Sequence, residues 1–224
     1  MSMLLGAWRT LLNPINFVPS DVPWTDANAL IQFYLATGGP SWTVSTNWLV
    51  DPVVNNWLGV TVAGGRVTQL ALPTNNLVGP AGTTLAPLAD SLAFLNGAAN
   101  ALTSLDASMM GALTALYWQD NNTLTLDLSG LANGVTIIRC DNNGMLQPAV
   151  NSAINDVWTR RADWSDATPE LYVGGTNATP TGIYQDGYPV PLTALEEVHD
   201  LFVDDNAGGF QTWDSIVWNG GSTP

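Results

Sequence analysis

Residues 29–79 read ALIQFYLATGGPSWTVSTNWLVDPVVNNWLGVTVAGGRVTQLALPTNNLVG, and the order of signals in this stretch decides the fold. Leu30, Phe33 and Tyr34 share one helical face, and Thr25 or Asp26 stands where an N-cap is needed, so a short amphipathic helix is expected. Gly38 is placed to stop it in a left-handed turn. Trp42, Trp48 and Trp57 come next. A tryptophan cluster can be a sugar-stacking platform, but here it is expected to shield the open edge of the first coil, because such edges must be covered. Val67, Leu70, Leu72 and Asn75 then set out a line of the form V-x-x-L-x-L-x-x-N.

Working outward, that line returns. It reads Leu92, Leu95, Gly97, Asn100, then Leu113, Leu116, Trp118, Asn121, then Val135, Ile138, Cys140, Asn143, with a weaker copy at Leu171, Val173 and Asn177. Each strand turns alternate apolar residues inward. Each asparagine is placed to hydrogen-bond the backbone of a bend that would otherwise hold unpaired polar groups. One coil cannot bury its apolar face alone, whereas a stack can, so a curved solenoid with a parallel sheet is expected. Gly97 and Trp118 depart from the aliphatic rule. Helices are predicted over Pro148–Arg161, with Val150, Ile154, Val157 and Trp158 on one side, and over Pro191–Asp204, with Leu192, Leu195, Val198 and Phe202. A last strand is expected in FQTWDSIVWN near the C-terminus.

Taken whole, the series helix–ATGG–W–NW–W-L-G-V–GRVT-x-L-x-L-x-x-N-N-L-x-G resembles the N-terminal cap and first coil of leucine-rich repeat proteins, over about residues 25–145. It is similar to caps of plant receptors and of their bacterial, protist and phage relatives. Plant caps carry a cysteine pair, whereas Thr61 follows W-L-G-V here, so the resemblance is closer to microbial or phage members. LYVGGTNATPTG, PLTALEEVHDL and FQTW resemble, more loosely, repeat segments of phage structural proteins. The resemblance implies an α/β leucine-rich repeat solenoid with a short parallel sheet, a helical N-terminal cap and additional helices in the C-terminal coils. Residues 1–24 are then an N-terminal docking arm, 25–65 a helical, Trp-rich cap, and 66–224 degenerate coils with a C-terminal cap.

Composition narrows the partners. The chain has 224 residues, ample for one core, and 46% hydrophobic residues exclude wholesale disorder. It contains no lysine; five arginines face 19 acidic residues, for a net charge of −14. Such a surface repels nucleic acid and anionic lipid. Solubility accounts for it, and a basic partner or calcium ligation by the aspartates are the alternatives. No window is long enough for a membrane span, and Arg9 and Pro14 spoil a signal peptide.

Catalytic and cofactor signals are weak. His199 is the only histidine and lies in a helical stretch beside Glu196, Glu197 and Asp200; no G-x-S-x-G elbow accompanies it. Cys140 is expected to be a buried structural thiol. Asp120 and Asp141 should neighbour each other in successive coils as a carboxylate pair of the glycosidase kind, yet D-N-N steps also simply form bends. The glycine pairs are turns, D-x-D-x-D-G is missing, and no cofactor or metal is expected. The sequons at Asn121 and Asn177 are short enough to arise by chance.

Recognition is expected instead on the outward side chains between the ribs: Gln69, Phe94, Tyr117, Gln119, Arg139, Asp141 and Tyr172. Aromatic residues flanking an arginine match interface hot spots. Leu4, Leu5, Trp8, Leu11, Leu12 and Phe17 give the N-terminal arm an apolar stripe to dock on the cap or on a neighbouring subunit. The expectation is a non-enzymatic structural or adhesive module at a virion surface, in a phage capsid decoration or tail, or else extracellular. Its partners would be capsid, tail or self-assembly subunits. The alternative is a secreted microbial protein binding glycans or host proteins through a concave face.

Overall fold

A repeat in which every third or second position is aliphatic makes short strands, because only the rib between two outward residues must be buried. The computed structural model describes residues 18–131, 134–160, 169–185, 191–203 and 215–223. Helix α1 (Trp24–Ala36) and strand β1 (Val60–Ala63) open the described chain. Then come β2 (Arg66–Ala71), β3 (Val78–Gly82), β4 (Phe94–Asn96), β5 (Ala101–Asp106), β6 (Ala115–Tyr117), β7 (Thr125–Asp127) and β8 (Ile137–Arg139). Helix α2 (Gln147–Thr159), β9 (Glu170–Tyr172), α3 (Ala194–Val203), β10 (Ser215–Trp218) and β11 (Gly221–Ser222) complete it.

The result is a β-solenoid of α/β type. Its main sheet has eight strands in the order β1-β2-β4-β6-β8-β9-β10-β11, parallel from β2 to β10 and closed at each end by an antiparallel hairpin. A second, three-stranded parallel sheet, β3-β5-β7, forms another side of the first coils and was not anticipated from the sequence. In later coils α2 packs beside β7 and α3 beside α2, replacing further strands of that sheet.

The register stacks the ribs. Leu70, Leu95, Leu116, Ile138, Leu171 and Ile216 are partners across successive strands, and all are at most 1% exposed. Two residues further, Leu72, Trp118, Cys140 and Val173 are also buried. The departures at 97 and 118 compensate each other. A Cβ on Gly97 would lie 2.7 Å from Cζ3 of Trp118, so glycine in one coil leaves room for the indole of the next. Trp118 Nε1 donates to Thr123 Oγ1 at 2.8 Å, and that hydroxyl donates to the Leu102 carbonyl at 3.1 Å, so no polar atom of the oversized side chain is stranded.

Asparagines bind the bends as expected. Asn121 Nδ2 donates to the carbonyls of Gly97, Trp118 and Gln119, and its Oδ1 accepts from Leu102 N–H at 2.9 Å. Asn100, Asn143 and Asn177 repeat the scheme, each joining its own bend to the preceding coil. Immediately before Asn75, Asn100, Asn121 and Asn143, the residues Thr74, Ala99, Asp120 and Asn142 take left-handed φ values between 53° and 57°. One such residue interrupts the in–out alternation, so that the following asparagine turns inward.

The ends are covered. Gly38 adopts φ +71° just past α1, as its position predicts. Trp42, Trp48 and Trp57 are buried, their rings pack in series, and each indole N–H donates to a carbonyl, of Thr37, Leu58 and Asp51 respectively. They shield the cap core and leave no open ring platform. Asp26 does not cap α1, whose N-cap is Pro23. Buried inside, Asp26 instead accepts from Arg66 Nε at 2.9 Å and Val67 N–H at 3.0 Å, tying cap to first rib. Helix α3 starts later than expected because the Glu196 carboxylate accepts from the N–H groups of Leu192 and Thr193. Leu192 is thereby outside the helix and 90% exposed, while Leu195, Val198 and Leu201 form the buried face.

Two substitution series test this packing. Asn121→Ala should lower the unfolding free energy by roughly 3 kcal/mol in denaturant titration, because several buried groups lose their partners together. Asn122→Ala, exposed and next door, should change it by no more than about 0.5 kcal/mol; equal effects would refute the ladder's role. Trp118→Leu and Gly97→Leu should each cost about 2–3 kcal/mol, by cavity and by overpacking respectively. The double variant restores the leucine pattern and should cost about 1–2 kcal/mol less than the sum.

Candidate recognition face on the parallel sheet

With the ribs turned inward, residues on either side of each rib must face outward. Register places them in columns. One column runs Gln69, Phe94, Ala115, Ile137, Glu170, Ser215; the next runs Asn96, Tyr117, Arg139, Tyr172, Val217. Gln69 is exposed and the others are half-buried. Gln119 and Asp141 lie just beyond the ends of β6 and β8, where backbone bonds from Ala99 N–H to the Gln119 carbonyl and from Asp120 N–H to the Asp141 carbonyl prolong the stack. Of the residues expected on this face, Tyr117, Arg139 and Tyr172 are therefore direct neighbours. Phe94 reaches Tyr117 across columns, with ring centroids 5.6 Å apart and planes tilted by 40°. Gln69 sits toward the cap, opposite Thr61 of β1.

Ala115, Ile137, Glu170, Asn96 and Val217 belong to the same face and were missed. The alternation that placed Tyr117 and Arg139 outward places them too, so the signal was present in the strand triplets.

Arg139 is the electrostatic centre. Its guanidinium makes two hydrogen bonds to Asp141, at 3.3 and 3.2 Å, and sits 4.8 Å from the ring centroid of Tyr172. The Tyr172 hydroxyl donates to Glu170 at 3.0 Å. Burial, then that carboxylate, hold the phenol above its ordinary pKa. The face is thus a connected set of rings and charges rather than isolated side chains.

The other candidates have local occupations. Asp141 is engaged by Arg139, and Asp120 Oδ1 accepts from Asn142 Nδ2 at 2.9 Å. Cys140 is fully buried beneath the face, 3.3 Å from the Tyr172 carbonyl, and burial pushes its thiol far above the usual range, which suppresses thiolate chemistry. His199 is half-buried rather than solvated, its ring 4.9 Å from that of Tyr184. Asn121 and Asn177, the sequon asparagines, are buried in the ladder. Among the described residues, no three His, Cys, Asp or Glu side chains group as metal ligands, and no helix is long and apolar enough to cross a membrane. Leu4, Leu5, Trp8, Leu11, Leu12 and Phe17 lie outside the described residues. No protein-family model matches the chain, and no curated protein matches it significantly.

On the second sheet, Asp106 and Asp127 are register partners, and each accepts from the N–H and hydroxyl of the serine two residues on. Asp156 of α2 accepts from Leu128 N–H at 3.0 Å. Burial raises its pKa most; the Leu128 bond pulls it back and the Asp127 charge adds to the rise. A carboxyl raised in the fold favours the native state when protonated, and that advantage is lost as pH climbs through the folded pKa. Asp156→Asn, which keeps the acceptor without the charge, should therefore melt higher than the wild type near neutral pH. The gap should close as pH falls below the ordinary carboxylate range; a gap that widens in acid would contradict this assignment.

Proposed function

We propose that this chain is a non-enzymatic leucine-rich-repeat module that recognises a protein through the outward face of its main sheet. The observation carrying this reading is the contiguous set Phe94, Tyr117, Arg139 and Tyr172. Large rigid rings around an arginine supply contact area at low entropic cost, and such residues dominate interface energetics. Backbone and interior side chains are occupied by ribs and ladder, so variation compatible with folding is concentrated on these outward positions. The LRR identity rests on the V-x-x-L-x-L-x-x-N line and on asparagines bonding successive bends.

The apolar N-terminal stripe of Leu4, Leu5, Trp8, Leu11, Leu12 and Phe17 supports a second element of the reading, anchorage to a larger assembly. A lysine-free acidic surface suits a solvent-facing position there, such as a virion surface.

Deleting residues 2–17 should abolish co-sedimentation with the native assembly while leaving circular dichroism and cooperative melting intact. Tyr117→Ala with Tyr172→Ala should leave anchorage unchanged but weaken partner binding at least about tenfold by calorimetry. Unfolding of the truncated chain would instead make the arm part of the core, and unchanged binding in the double variant would remove the face from the function.

A further inference from the structure

The face described above has a charge pattern that selects among protein partners. We propose that its occupant is a cationic polypeptide segment laid across the strands, with one arginine or lysine over the Phe94–Tyr117 pair and others meeting Asp120 and, two strands on from Tyr117, Glu170. This rests on the reading of the sheet as a recognition face and narrows it to one partner chemistry.

Three observations support it. The first is what remains after internal pairing. Among the described residues, Arg66 is paired with Asp26 and Arg139 with Asp141, so the one arginine on the face brings no uncompensated positive charge. Glu170 and Asp120 accept from neutral groups, the Tyr172 hydroxyl and the Asn142 amide, so their charges stay uncancelled. An anionic segment would meet like charge; a cationic one completes the field.

The second is the chemistry that the face already performs on itself. Arg139 lies over the Tyr172 ring at 4.8 Å while a carboxylate grips its guanidinium at two points. A ring floor with a carboxylate wall is how a guanidinium or ammonium is held at low desolvation cost. One strand away, Tyr117 with Phe94 at 5.6 Å offers a second ring floor, with no described cation above it.

The third is composition. A chain with no lysine and a net charge of −14 attracts cations at long range, which speeds encounter. The aromatic columns then decide where on the surface a segment settles. Diffuse attraction and local stacking make different predictions, and the experiment separates them.

The test is fluorescence anisotropy of a labelled oligo-arginine peptide with the full chain, at low and at physiological salt, alongside an oligo-glutamate peptide and an array of neutral glycans. Oligo-arginine should bind. Tyr117→Ala and Glu170→Gln should each weaken it at least about tenfold, in proteins whose melting curves show the native fold. Asp127→Asn removes an equal charge from an exposed position on the second sheet and should change binding by less than about twofold. If Asp127→Asn weakens binding as much as Glu170→Gln, the attraction is diffuse and the proposal fails. Absence of binding at low salt also overturns it. Neutral-glycan binding that is lost in Tyr117→Ala would overturn the cationic occupant while leaving the recognition face standing. Insensitivity of every probe to both face variants would remove both.

Discussion

In a stack of parallel coils the strands satisfy their own backbone, but each bend holds N–H and C=O groups that no strand can reach. Burying them unpaired would cost more than the ribs return. Here one asparagine per bend meets that constraint. Asn143 donates to carbonyls of Trp118, Cys140 and Asp141 while accepting from Thr123 N–H, so a single side chain spans two coils. Asn177 continues the line by accepting from Asn143 and Met145, and Asn219 closes it by donating to the Asn177 carbonyl. Because each rung joins neighbours, loss of one loosens two coils. The left-handed residue before the asparagine is part of the same device; at Thr74 and Ala99 it is tolerated without glycine, at a cost of about 1–2 kcal/mol each.

A stack also has ends, and an uncovered parallel edge invites association. The two ends are closed by similar means, an antiparallel strand and aromatic packing. At one end β1 turns back on β2 beneath the Trp42–Trp48–Trp57 series. At the other, β11 turns back on β10 and Trp218 stacks on Tyr184 with centroids 5.7 Å apart. Between them the change from second sheet to helices is stitched by polar bonds, Asp156 to Leu128 and Asn155 to Glu197. Ladder and caps together commit almost every inward group.

What is left over is the outward face, and this is why function is sought there. Its side chains contribute little to the stack, so their identities are free to answer to a partner. Rings beside an internally neutralised arginine, edged by carboxylates, are the features on which the proposed recognition of a flexible, positively charged segment rests.

The repeat line determined by itself the positions of the ribs, the inward asparagines, the stop at Gly38 and the outward placing of Tyr117, Arg139 and Tyr172. Those features depend on alternation and local turn chemistry, which a linear pattern carries directly. The second sheet was not legible, because β3 reads VGPAG, a glycine- and proline-bearing stretch unlike a strand, and its register against β5 is broken by irregularities. Nor was the Gly97–Trp118 exchange: each looks like a defect until the coils are stacked and one fills the other's space. Asp26 reads as a helix cap from its neighbours, yet its partners, Arg66 and Val67, come from a strand about forty residues on. That Arg139 lies over Tyr172 and that Phe94 meets Tyr117 was decided by inter-strand register, and register exists only once the coils are packed.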